Sequence, residues 1–141
     1  MINPDKHLRA AYIAALESAT GLKVYDNSVP MDESLPDRYI IFSNQRKDPF
    51  SRDKESYEWL CVPEIDIYSV NEKGFNSSAI IDDIEQQVLT AIESGITIGA
   101  GFTNKFSRLS DTYTFNPVET ETNTISRKRI IYEHWLNYVT S

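Results

Sequence analysis

Leu8, Ala11, Tyr12, Ala15, Leu16 and Ala19 recur at helical spacing and place one apolar stripe on a single face. Asn3 followed by Pro4 suits the start of that helix, because an acceptor side chain precedes a residue whose missing N–H costs nothing in the first turn. Gly21 suits its end. The spacing predicts a helix over 4–20. A second stripe, Ile81, Ile84, Val88 and Ile92 with Ile80 and Ala91 beside it, predicts a helix over 77–93, capped by Asn76, Ser77 or Ser78 and ended by Gly95.

Elsewhere the pattern changes to a period of two. Strands are expected over 22–26, 38–44, 56–69, 102–115 and 127–139. In the longest, Tyr57, Trp59, Cys61, Ile65 and Ile67 share one face, while Glu58, Glu64 and Asp66 point the other way with Leu60, Val62 and Tyr68. Pro63 cannot donate to a ladder and predicts an edge position or a bulge. The last strand carries Ile130, Tyr132, Leu136 and Tyr138 on one face and Ile131, Trp135 and Val139 on the other, so it is expected at the centre of a sheet or under a partner chain. Residues 45–55, of mixed charge around Pro49, read as an exposed loop or hairpin tip, and 116–126 as a loop. Residues 96–101, ITIGAG, read as flexible or strand-like. The order helix, strands, helix, strands predicts an α+β fold, a largely antiparallel sheet packed by two main helices.

At 141 residues the chain is expected to form one domain, 1–141. No run of 18 apolar residues is present, so no membrane partner is expected. Glu17 and Ser18 interrupt the N-terminal apolar residues, and that segment reads as a mature helix, not a signal peptide. The formal charge of −7 lacks the basic excess that gripping a phosphate backbone requires. An acidic surface would instead repel passing DNA and keep it from sticking.

The candidate chemistry is sparse. Cys61 is the single cysteine, so it forms no internal disulfide, and it alternates with apolar neighbours as an inert buried thiol does. His7 and His134 show no metal-ligand spacing and read as structural. Glu64 and Asp66 share a strand face at a distance suited to Mg²⁺, and Asp37 can be cast as a third carboxylate of a small nuclease. Asp66 stands where such a pattern needs a lysine, which weighs against it. The glycines of GAGFTNKF lack the order that cradles a phosphate. No catalytic, cofactor or metal residue is therefore assigned. A protein-binding cytoplasmic adaptor remains a further alternative.

The ordered series LRAAYIAALESATG, VYDNSVP, LPDRYIIF, EWLCVPEIDIYS, VLTAI, FSRLSDTYTF and RKRIIYEHWLNYV resembles the tail terminator, or tail-completion, proteins of tailed bacteriophages. The resemblance covers nearly the whole length and rests on the order of weak motifs. It implies a non-enzymatic virion protein, assembled in the host cytoplasm, that forms a ring, commonly six-fold. Such a ring sits at the head–tail junction as a terminator or neck connector. It stops tail-tube growth, contacts tail-tube and neck proteins, and passes DNA through its lumen without reading sequence.

The loop between the first two strands gains a meaning in that setting. Pro30 and Pro36 stiffen it, so it loses less entropy on meeting a neighbour. Asp32, Glu33 and Asp37 on that loop are candidate contacts for Arg46, Lys47, Arg52, Arg127, Lys128 or Arg129 of the next copy.

Overall fold

The structure, a computed structural model, describes residues 2–29, 34–52 and 56–139; the side chains of residues 50–52, 56 and 139 lie outside that description. Pro30, Asp32 and Glu33 therefore fall outside it, as does the side chain of Arg52.

Helix α1 spans Asp5–Thr20 and buries Leu8, Tyr12 and Leu16. The Asn3 side chain accepts a hydrogen bond from the Asp5 N–H at 3.0 Å. Gly21 closes the helix in the left-handed region at φ 70°, its N–H donating to the Glu17 carbonyl. Strands β1 (Val24–Asp26), β2 (Arg38–Arg52) and β3 (Ser56–Glu72) follow. Helix α2, Ser78–Glu93, buries Ile81, Ile84, Val88 and Ile92, the stripe expected from the sequence. The chain ends with β4 (Phe102–Thr114), β5 (Val118–Glu119) and β6 (Asn123–Val139).

Among the described residues these strands form one sheet in the order β1-β2-β3-β6-β4, with β5 paired to β6. Only β1 and β2 are parallel, and the remaining pairs are antiparallel. The fold is α+β. Both helices lie on the same face. Leu8, Tyr12 and Leu16 of α1 and Ile81, Ile84, Val88 and Ile92 of α2 join Ile40, Phe42, Cys61, Ile65, Ile67, Ile130, Tyr132 and Leu136 of the sheet in one buried cluster. No described helix is long and apolar enough to cross a membrane.

Three expectations are corrected. Residues 45–52 are not a loop: β2 continues through them, pairing Gln45 with Pro63 and Pro49 with Trp59. Pro49 is accommodated because β1 covers β2 only from Ile40 to Phe42, leaving the outer side of β2 an edge beyond that point among the described residues, and because a register shift follows it. Pro63 lies in a central strand, not at an edge or a bulge in its own strand. The β3–β6 ladder is recorded at Cys61 and again at Glu64, skipping Val62 and Pro63 without changing register, at the place where a proline removes a donor. Residues 116–126 are not all loop, since Val118 and Glu119 pair with Ile125 and Thr124.

The segment after α2 is neither helix nor strand. Ile96 is buried, and Gly99, Ala100 and Gly101 all adopt positive φ as the chain turns into β4. β6 is central, between β3 and β4, as the apolar residues on both of its faces led one to expect.

Candidate functional site: the uncovered face of the sheet

Alternation along the strands turns one set of side chains toward the helices and the other toward a face that no described helix covers. On this second face lie Tyr39 and Arg46 of β2, Glu64, Asp66 and Tyr68 of β3, Arg127, Arg129 and Glu133 of β6, and Phe106, Arg108 and Tyr113 of β4.

A row of rings and one guanidinium crosses it from edge to edge. Tyr25 meets Tyr39 edge-on at 5.9 Å, and Tyr39 stacks on Tyr68 at 5.0 Å. Arg127 donates to the Tyr68 hydroxyl at 3.3 Å and lies 3.5 Å from the centre of the Phe115 ring. Phe115 in turn meets Tyr113 at 4.6 Å. Cation–π contact of this kind holds an arginine flat while leaving its edge able to donate.

Next to this row, Arg129 binds Asp66 through two hydrogen bonds, 2.8 and 3.1 Å, and lies 3.7 Å from Glu64. The hydrogen bonds to Asp66 are the main reason its guanidinium pKa is raised. The Asp66 side chain is only 3% exposed. Arg129 therefore occupies, with a fixed cation, the space between the two carboxylates where Mg²⁺ would have to sit. Asp37 does not join them: its carbonyl accepts from the Val70 N–H, four residues along β3 from Asp66. Among the described residues no group of three or more potential metal ligands forms.

The other predicted contact residues divide into two groups. Lys47 turns toward the helix face, 2.6 Å from Asp5 and 5.7 Å from the Trp59 ring centre. Lys128 is also on that face, bound to Glu85 at 2.9 Å and Asp82 at 3.3 Å of α2. Burial lowers the Lys128 pKa, but the hydrogen bonds and negative charges of Glu85 and Asp82 together outweigh it and the net shift is upward. With Arg127 and Arg129 these residues are engaged within their own chain. Asp37 and Arg46 are exposed.

A polar chain that the sequence did not reveal runs through the core. His134 has no exposed surface; its Nε2 meets the Tyr12 hydroxyl, and its Nδ1 lies 2.9 Å from Ser107 Oγ. Asn104 also donates to Ser107 Oγ, at 2.9 Å. Burial lowers the His134 pKa to about 4, so the ring is neutral near pH 7. Burial, then the nearby Tyr132 and Cys61, push Tyr12 well above its ordinary value. A neutral imidazole held between two hydroxyls ties α1 to β6 and β4. Alternation with Tyr132 and Leu136 was the available signal that His134 faced inward.

Cys61 is buried, and that burial, with Asp5 nearby, pushes its thiol up to about 12. It is not a thiolate at neutral pH. His7 lies with its ring 6.0 Å from Phe102.

No protein-family model matches this chain, and no curated protein matches it. Among solved structures, it is similar to a chain in a structure described as the virion of a native gene transfer agent (GTA) particle. That match has 18% identity and a TM-score of 0.47, covering 95% of this chain and 91% of the other.

Proposed function

We propose that the chain is a structural subunit of a tailed-phage or phage-like virion, forming a ring at the head–tail junction through which DNA passes. The observation that carries this reading is the one-sided build of the sheet: helices pack one face, while the other presents rings and paired charges across five strands. Such a face suits contact or a lumen, not catalysis. Glu64 and Asp66 on it are already held by Arg129, and in the core beneath it His134 is neutral and Cys61 is a thiol. The order of elements also follows the series of motifs that resembles tail terminators.

Asp32, Glu33 and Asp37 are proposed contacts for a basic group of the next copy, with exposed Arg46 as their first candidate and Arg52 as a second. Lys47, Arg127, Lys128 and Arg129 have partners within the chain, so they serve the contact only by exchanging those partners. Opposite charges at a rim act mainly on encounter rate and register. The double change Asp32→Lys, Glu33→Lys should lower the oligomeric fraction seen by native mass spectrometry, and more at low salt than at high. An unchanged distribution of species would remove this loop from the contact.

A further inference from the structure

We propose that β4 of one copy adds, antiparallel, to the open half of β2 of the next copy, so that one sheet runs on from subunit to subunit. The inference rests on the ring reading and specifies the contact that closes the ring. Among the described residues, nothing pairs with the outer side of β2 beyond Phe42, nor with the outer side of β4. These two open edges stand on opposite sides of a single sheet. An exposed edge is a row of unpaired backbone donors and acceptors, and a strand of another chain is the group that satisfies it.

Strand direction makes the pairing possible without inverting a subunit. β2 runs antiparallel to β3, β3 to β6 and β6 to β4, so β4 runs opposite to β2. A copy rotated about an axis lying along the strands thus brings its β4 antiparallel to β2, with the uncovered faces of both sheets on the same side. A contact between two different edges is heterologous, and repeated by rotation it closes into a ring.

One register matches both charge and face. With Arg46 opposite Asp111 of the next copy, in place of the loop carboxylates, Asn44 falls opposite Tyr113 and Gln45 opposite Thr112. The register shift between Leu109 and Asp111 leaves Ser110 as the extra residue in β4, which then sets Asp48 opposite Arg108. Two opposite-charge pairs thereby lie on the uncovered face, with Arg108 shared between Asp48 and its own-chain partner Glu133. Gln45 and Thr112 share the helix face. A cavity of about 350 Å³ opens beside Ser43, Asn44 and Gln45, where β1 ends. Pro49 and the two register shifts in each strand confine pairing to a short stretch, which limits growth in other registers.

The test places one cysteine on each edge of the same chain, Asn44→Cys with Tyr113→Cys. Both positions are exposed, and Cys61 is buried, so the fold and the background are little affected. On mild oxidation the doubly substituted protein should give a ladder of disulfide-linked species ending in a closed ring, while each single substitution stops at or below a dimer. In parallel, Arg46→Asp should weaken association up to about fivefold, the upper range for one cross-strand pair, and Asp111→Arg added to it should restore association. Rings that form without this cross-link and ignore the charge exchange would overturn the edge contact while leaving the ring reading intact. A parent protein that makes no ring and a double variant that makes no ladder would overturn both.

Discussion

His134 gives the protein an acid-sensitive point inside its core. Burial holds its pKa at about 4, against an ordinary value of 6.5, so the folded state binds a proton less readily than the unfolded one. Its contribution is fully present above pH 6.5 and is lost as the pH falls from 6.5 toward 4. A shift of that size corresponds to about 3 kcal/mol of stability lost on acidification. Urea denaturation at pH 7 and pH 4.5 should show this drop. In His134→Gln the protein should be less stable at pH 7 but should lose less between the two pH values; an undiminished acid dependence would remove His134 as its source. Arg129 tests the opposite situation, a cation whose loss strands an anion. Arg129→Ala should cost about 3–5 kcal/mol, because it leaves the buried Asp66 carboxylate unpaired. The pair Arg129→Met, Asp66→Leu should recover most of that loss in the same measurement. Asp66 is legible in the sequence as a carboxylate sharing a face with Glu64, but its partner is not. Arg129 lies 63 positions away and comes opposite Asp66 only once β3 and β6 pair in this register.

At the scale of elements, both helices could be read from the chain because their apolar residues repeat at a single period and their ends carry Pro4, Gly21 and Gly95. β3 and β6 were legible through alternation. The outer half of β2 was not, because Pro49 and a run of charges are ordinary signs of a loop, and only a long neighbouring strand with an open far side makes them compatible with a ladder. β5 was hidden for a related reason: two residues are too few to show a period. The entry to β4 depends on backbone geometry. Gly101 has φ 87°, and a Cβ there would stand 2.8 Å from Cε2 of Tyr138, a ring already packed on Tyr57 and Phe102. Gly101→Ala should therefore destabilise the fold by roughly 1–3 kcal/mol, from left-handed strain and crowding together. Thermal unfolding of the purified variant checks this, and an unchanged midpoint would show that the turn relaxes freely.

Among the described residues the molecule is a sheet sealed by helices on one side and open on the other, with nothing paired to the outer side of β4 or to that of β2 beyond Phe42. Its charge of −7 leaves it little means to grip nucleic acid, yet a ring of such subunits would let a duplex slide through by repulsion. The sequence suggested assembly through the order of its motifs and pointed to loop charges as the contact. It gave no sign of the open edges, since an edge is a property of strand order, which no local pattern encodes. Ring formation is what would join these features into one function. Negative-stain electron microscopy of the concentrated protein tests it most directly: closed rings with a central hole of roughly 20 Å or more, enough to pass a duplex judged from its groove dimensions, are the predicted result. Particles with no lumen at any concentration, whether monomers or two-fold dimers, would contradict it.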